Sequence, residues 1–442
     1  MSVDAFLDDS GSDSESLGER LAENATRPAE CPQAGSSPEG EEPFAGGCLS
    51  NTHPPSSQAA LEGYPDYHFA GAYDWFEWGC HVQWEDERFQ VLNKKLESAK
   101  SDCQEKKLPC QVVSFDGIVL VVERTGGNRG GDRGEHYEYK VRYAGLTIGI
   151  AARNKPNDQR PNVYVRMTGR ECLLLGAVEG YQMARQLIVG LGGKVVKEKL
   201  SRVDISLDIA GLDVVELQEA AERKQFITDA GSVRPVNDVL HDIKSGIVAG
   251  KRPMRLVIYD KLEELQDTCD ELYRRGLIDR RWGGQQPENA TRVEYQCSRA
   301  WLMNQGISSP DDLFRLVGSL VEKLTGQWFW MTEEPVDRKN KNQSRAVPLA
   351  VWRGIQEAFR KVYGKPAGPL VPVQRDKIEP MRLMKQARGC LRNALLQMRK
   401  ECRDYREFAK KAAQLVYDAG IVSQDAVRFM DEYHRMELDH LT

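Results

Sequence analysis

Ser201-Arg202-Val203-Asp204-Ile205-Ser206-Leu207-Asp208-Ile209 alternates without a break. Successive side chains on a strand face opposite sides. Val203, Ile205, Leu207 and Ile209 therefore form an apolar face, and Arg202, Asp204, Ser206 and Asp208 a polar one. Two later stretches repeat the pattern. In Arg255-Leu256-Val257-Ile258-Tyr259-Asp260-Lys261, Leu256 and Ile258 point one way, and Arg255, Val257, Tyr259 and Lys261 the other. In Thr291-Arg292-Val293-Glu294-Tyr295-Gln296-Cys297, Arg292, Glu294 and Gln296 share one face. If the three strands are neighbours and their apolar side packs on helices, Asp204, Asp208, Glu294 and Tyr259 share the open side.

That grouping has a chemical reading. Three carboxylates without a cluster of His or Cys make an oxygen-ligand site, which favours Mg²⁺ or Mn²⁺ over zinc. Such a metal polarises a phosphoryl oxygen. Tyr259 is a candidate nucleophile for phosphoryl transfer, with Arg255 and Lys261 as cations that lower the cost of a phenolate. Arg202 and Arg292 are candidates to neutralise a phosphate backbone. The same residues also suit a surface tyrosine beside cross-strand Arg–Asp and Arg–Glu pairs on a wet sheet face. Spacing alone leaves both readings open.

The rest of the chain sets the frame. Its 442 residues suffice for two or three domains. The first 63 residues carry 12 Asp/Glu and 2 Lys/Arg, so the remainder is mildly basic despite the overall charge of −5. That tail is rich in Ser, Gly, Pro and Glu and is expected to be disordered. The ten cysteines show no CxxC pair, which suggests reduced thiols rather than zinc or disulfides. No basic-then-apolar leader and no membrane-length apolar run is present, so a cytoplasmic protein is expected.

An aromatic-rich first strand runs Asp74–Val82, and its rings are expected in the core rather than against bases. Strands are expected over Gln111–Arg124, Glu138–Ala151 and Asn162–Gly169. Helices are expected over Glu85–Lys100, Cys172–Leu191, Asp213–Lys224 and Leu262–Gly276. A Gly/Arg-rich loop, with Arg129 and Arg133, has the composition to follow a phosphate backbone and equally that of a plain hairpin loop. From Asp311 the chain reads as helical, interrupted by a basic loop (Arg338–Arg345) and a Pro/Gly linker near 365–372. Residues 375–411 hold 12 Lys/Arg against 5 Asp/Glu, a solvated helix face or a nonspecific DNA contact. The expected fold class is α+β: antiparallel sheets with helices packed on one face, then a mostly helical C-terminal region. The expected division is a tail (1–63), a catalytic domain (64–335), a basic loop and helix (336–364) and a helical module (365–442).

The three alternating strands, with Val163-Tyr164-Val165-Arg166-Met167-Thr168-Gly169-Arg170-Glu171-Cys172 upstream, resemble in order and spacing the signature strands of the replication initiation factor (Rep_trans) family. The resemblance covers roughly Tyr73 to Trp330, with Thr168 where serine is common. It implies a rolling-circle initiator whose tyrosine nicks one DNA strand at an origin. The tyrosine keeps the 5′-phosphate covalently and leaves a 3′-hydroxyl. Carried onto this chain, Tyr259 is the nucleophile, and Asp204, Asp208 and Glu294 are ligands of Mg²⁺ or Mn²⁺. It also implies a homodimer and a host helicase as partners. A relaxase of a conjugative element has the same chemistry, and a non-catalytic DNA-binding regulator is the competing class. No His-x-His occurs among the seven histidines, so the two-histidine nickase motif is absent.

Overall fold

The three alternating stretches are neighbours in one antiparallel sheet. They belong to a computed structural model that describes residues 58–59, 61, 63–128, 136–154, 160–238, 243–266, 270–336, 345–373, 389–394 and 404–422. Arg129 and Arg133, most of the acidic tail and most of the basic loop at 338–345 lie outside the described residues. The chain divides into two compact units, Met1–Val373 and Gln374–Thr442. In the second, the described residues include a helix, Tyr405–Val422, preceded by Asp404, whose carboxylate accepts from the Glu407 amide at 2.8 Å.

The first unit is built on strands β1 (Gln58–Ala59), β2 (His68–Trp84), β3 (Cys110–Phe115), β4 (Ile118–Glu123), β5 (Gly127–Asn128), β6 (His136–Tyr137), β7 (Tyr139–Tyr143), β8 (Leu146–Ile150), β9 (Val163–Met167), β10 (Gly193–Ala210), β11 (Phe226–Thr228), β12 (Val233–Asp238), β13 (Ile243–Lys251), β14 (Met254–Asp260), β15 (Ala290–Ser298) and β16 (Phe329–Met331). Among the described residues the main sheet runs β12-β13-β14-β15-β10-β2-β9-β8-β7-β4-β3, with β1 added beside β2. Every pairing in it is antiparallel. The α+β class with a large antiparallel sheet and a helical C-terminal region is therefore as expected.

Two expected long strands are each a hairpin. The stretch at 111–124 folds back at Asp116-Gly117, and the stretch at 138–151 at Ala144-Gly145. Both dipeptides have positive φ throughout (48° and 82°; 47° and 88°), the backbone of a tight two-residue hairpin turn. The expected helix at 172–191 is two helices, Gly169–Leu174 and Ala177–Gly190, parted at Gly176. The helix expected at 262–276 is likewise two, Lys261–Gln266 and Glu271–Arg281.

The apolar face is the core. Val203, Ile205, Leu207, Val293, Tyr295, Leu256 and Ile258 are fully buried on it. Helices Asp86–Glu105, Ala177–Gly190, Pro310–Lys323 and Ala350–Tyr363 pack against the sheet. Tyr363 ties one of them down: its hydroxyl donates to the carbonyls of Ala72 (2.6 Å) and Ser206 (2.9 Å). Ser309 and Asp312 start the Pro310–Lys323 helix with reciprocal side chain–backbone bonds of 3.1 Å, a capping box that satisfies two otherwise orphaned amides. Of the aromatic first strand, Tyr73, Phe76, Trp78 and Trp84 are core, as expected; Trp75 is half-buried on the other face.

The polar face is not an open side throughout. Helices Gly169–Leu174, Lys261–Gln266 and Glu271–Arg281 roof part of it. Arg280 Nη1 donates to the carbonyls of Leu173 and Leu174, both at 2.8 Å, satisfying the C-terminal acceptors of the first roof helix. Asp270 caps the Glu271–Arg281 helix through the Tyr273 amide (2.9 Å) and pairs with Arg170 of the first at 3.0 Å. A small second core of Leu173, Ala210, Leu265, Tyr273, Leu277, Trp282 and Ala290 fills the space beneath.

Gly246 of β13 lies opposite Tyr259 of β14. Its φ is +150°, and a Cβ there would meet the Ile258 carbonyl oxygen at 2.0 Å. Gly246→Ala is expected to destabilise the first unit by about 2 kcal/mol or more, through backbone strain and a clash that no rotamer relieves. Urea denaturation checks this; a change within about 0.5 kcal/mol would contradict the close approach.

Candidate active site

In register, Tyr259 of β14 faces Arg292 of β15, which faces Asp208 of β10. One step along, Val257 faces Glu294, and Glu294 faces Ser206; a further step aligns Arg255, Gln296 and Asp204. Directly opposed residues in an antiparallel pair share a face, so Tyr259, Arg255, Glu294, Asp204 and Asp208 stand on one surface. The grouping expected from alternation is thus formed. Its internal geometry differs from the expectation in two ways.

First, Asp208 is not available as a metal ligand. It has no exposed side chain, and both its oxygens are engaged. Arg292 donates from Nε to Oδ1 (2.5 Å) and from Nη2 to Oδ2 (2.9 Å), while Arg281 Nη1 reaches Oδ2 at 2.8 Å. The two guanidiniums outweigh the effect of burial and hold Asp208 well below the usual carboxylate range. Second, Arg292 is not a DNA contact. It is fully buried, and its Nη1 also donates to Asp74 at 2.7 Å. The reason is the roof: a charge pair shut away from water keeps its partners, so these groups serve the protein interior.

Asp74, Arg281 and Tyr273 were not singled out in the sequence. Asp74 sits where the register of β2 against β10 slips between Trp75 and Tyr73, a bulge that turns an extra side chain toward the site. Burial pushes its carboxyl up, but Arg292, Lys261 and Arg281 bring it below the ordinary value. Lys261 is the first residue of a roof helix and is 1% exposed. Its ammonium bonds to the Glu264 carboxylate and to the Tyr273 hydroxyl (3.4 Å), and lies 5.8 Å from the Tyr259 ring centre. Burial and Arg292 oppose its charge; Tyr273, Glu264 and Asp74 outweigh them and keep it protonated.

Tyr259 stands at the edge of the roof, half-buried. Its hydroxyl donates to Glu294 Oε2 at 3.2 Å. Burial and the Glu294 charge push the phenol well above its ordinary value, with Arg292 acting the other way. A phenol so held is neutral at pH 7 and loses its proton only to a base already in contact. Glu294 is that base by position. It is 5% exposed, accepts also from Gln296 Nε2 (2.6 Å), and is pushed up by burial and by Asp74.

Asp204, 2% exposed, is bound by Arg202 through Nε (3.0 Å) and Nη2 (2.5 Å). Burial and the nearby Glu294 and Asp74 carboxylates nevertheless outweigh Arg202 and push it up to about 8. The Glu294 and Asp74 carboxylates thus favour the protonated form of Asp204. Among the described residues no group of three His, Cys, Asp or Glu side chains is gathered to hold a metal ion. Mg²⁺, however, is commonly held by one or two carboxylates completed by substrate oxygens and water. Asp204 and Glu294 fit that smaller role only by exchanging their bonds to Arg202, Gln296 or Tyr259 for the metal; Asp208, locked between two guanidiniums, does not.

Beyond the roof the same face continues into cations. Arg255, half-buried, donates from Nε to Gln296 Oε1 at 2.8 Å, and Arg202 lies 4.7 Å from the centre of the Trp75 ring. No helix among the described residues is long and apolar enough to cross a membrane.

No family model and no curated protein matches the chain. Among solved structures, a rolling circle replication initiator protein from Geobacillus stearothermophilus is similar at 14% sequence identity and a TM-score of 0.39, covering 69% of this chain and 100% of that one. At that level the functional reading rests on the geometry of the site.

The raised Asp204 carboxyl has a thermodynamic consequence. Its folded value of about 8 exceeds the unfolded one near 3.9, so between those values the native state binds more protons and stability falls as pH rises. Wild-type protein in chelator should lose denaturation midpoint from about pH 5 to pH 8, and Asp204→Asn should flatten that decline. Equal slopes in the two proteins would remove Asp204 from the account.

Proposed function

We propose that the protein is a DNA strand transferase that nicks one strand through Tyr259 and thereby primes rolling-circle replication. The observation that carries the reading is the Tyr259 hydroxyl donating to Glu294 at the edge of a cation-lined sheet face. A tyrosine kept neutral, a carboxylate raised above its ordinary value and in contact with the phenol, and arginines beside both are the parts that phosphodiester transesterification needs. The four stretches in order, and their resemblance to the replication initiation factor family, point the same way.

The step balances as follows. The Tyr259 oxygen attacks the scissile phosphorus, and its proton passes to Glu294. The phosphorus–O3′ bond breaks, and the leaving 3′ oxygen takes a proton from solvent. The product is a 5′-phosphotyrosyl link and a free 3′-hydroxyl. Arg255 is placed to neutralise a non-bridging oxygen. Arg292 and Lys261, both buried and ion-paired, act at a distance by fixing the position of the ring and its surroundings. Asp204 and Glu294 would hold Mg²⁺ or Mn²⁺, which when bound would offset charge on the phosphoryl oxygens. DNA is the substrate under this reading, with a second copy of the chain and a helicase as the expected partners.

The test is a supercoiled plasmid carrying the replicon's own origin, incubated with protein and Mg²⁺ or Mn²⁺, then treated with protease and run on a gel. Wild type should yield open circles with a blocked 5′ end, and Tyr259→Phe none, with origin binding within a few fold. Glu294→Gln should slow nicking by about 100-fold or more, the loss of a general base. Nicking by Tyr259→Phe at the wild-type rate would overturn the proposal.

A further inference from the structure

The polar face does not end at the catalytic strands. Across β10, β2, β9, β8 and β7 the register aligns Arg202, Glu77, Arg166, Thr147 and Arg142 in one row, so these side chains share the face of Tyr259. A parallel row runs Arg255, Gln296, Asp204 and Trp75. Arg255 and Arg166 are four strands apart, about 19 Å at about 4.8 Å per strand. Arg142 and Val112 are exposed at the far end, and Arg166 and Thr147 are half-buried. The roof helices contact β2 and β15, and Gly169–Leu174 also touches β9, the strand it follows; the helix at Asp86–Glu105 packs on β3, β4 and β7 through the opposite face, where Leu120, Val122 and Val141 are buried.

Trp75 is the centre of this surface. The Arg202 guanidinium lies 4.7 Å from its ring centre and that of Arg166 5.6 Å. The ring thus gathers two cations, of which Arg202 is paired with Asp204, while Glu77 stands between Arg202 and Arg166 in the row. Trp75 Nε1 and Arg166 Nε are buried, and neither has a hydrogen-bond partner among the described residues. Nearer the tyrosine the crowding continues. Burial holds Arg255 below its ordinary value, and Arg202 and Arg252 add to that against Glu294 and Asp204. This surface is not legible from motif spacing, because a segment so rich in aromatic residues reads as core.

We propose that Trp75, Arg166 and Arg202, continued by Arg255, form a track for single-stranded DNA that leads across the sheet to Tyr259. The proposal rests on the DNA-nicking reading and names the strand that the site takes. Guanidiniums gathered about an indole offer donors to phosphates and planar surface to bases together, which suits an unpaired strand. A paired duplex hides its base faces and gains only the phosphate contacts.

The test uses the full chain carrying Tyr259→Phe, in chelator, so that binding is read without cleavage. The probe is a fluorescein-labelled oligo(dT) of about 12 nucleotides, followed by anisotropy, with a duplex of the same length alongside. Trp75→Ala should weaken single-strand binding about tenfold, the loss of a stacking contact. Arg166→Gln should weaken it several-fold and lower the salt slope by about 0.7. Trp75→Phe and Arg166→Lys, which disturb folding less, should retain part of the affinity, and thermal melting identifies any variant that fails to fold. Affinities within twofold of the parent for Trp75→Ala and Arg166→Gln would overturn the track. Equal affinity for the duplex, lost equally in the variants, would overturn its assignment to single strands. Absence of nicking by the wild-type chain, with the variants still weakened in binding, would reject the proposed chemistry and leave the track standing.

Discussion

Asp208, buried between Arg292 and Arg281, is the constraint on which the functional half of the sheet depends. Arg292 comes from the neighbouring strand and Arg281 from a roof helix, so one carboxylate joins the sheet to its cover. Removing charges from water is costly, and such a pair holds only when its geometry is good and its spare donors are used. Here both Asp208 oxygens are taken and Arg292 gives its remaining Nη1 to Asp74, while Arg281 Nε and Nη2 are left without a hydrogen-bond partner among the described residues. The result is a neutralised interior behind Tyr259. The phenol stands opposite Arg292 in register, so the network also fixes where the nucleophile stands.

From that constraint the polar face divides in two. On the roofed side, acids and bases saturate one another: Asp208 and Asp74 against Arg292 and Arg281, Glu264 against Lys261. On the open side they do not. Asp204 is raised despite Arg202, Glu294 is raised despite Arg292, and Arg255 is depressed among other arginines. Tyr259 and Glu294 lie at the boundary, where a substrate can reach them and where the field behind them is already set. A site that is out of balance next to one that is balanced is what a phosphodiester, with its own charge and its counter-ion, would complete.

Much of this was legible in the sequence because strand alternation has a short, strict period. Val203/Asp204 through Ile209 assign faces without ambiguity, and the same holds for Tyr259 and Glu294; their adjacency was a condition that alternation could not supply and that the sheet order meets. Asp74 was not legible, since a bulge breaks the alternation that would have assigned it. Arg281 and Tyr273 were not legible either: they come from a helix, and helical periodicity does not say which face of a sheet the helix will cover. The roof is the same failure at larger scale, and it turned Asp208 and Arg292 from expected ligand and DNA contact into buried partners. The two hairpins had a local signal in Asp116-Gly117 and Ala144-Gly145, overridden by the long apolar runs on either side.

The most direct measurement concerns the covalent bond itself. Trypsin cuts after Arg255 and Lys261 and releases Leu256–Lys261, a peptide with a single tyrosine. Incubating the protein with a single-stranded origin oligonucleotide whose nicked product cannot religate, then digesting it with nuclease and trypsin, leaves any linked nucleotide on its peptide for mass spectrometry. The account predicts a nucleotide-sized mass addition on Leu256–Lys261, located at Tyr259 by fragmentation. An adduct on any other peptide, or none while the oligonucleotide is cleaved, would contradict it.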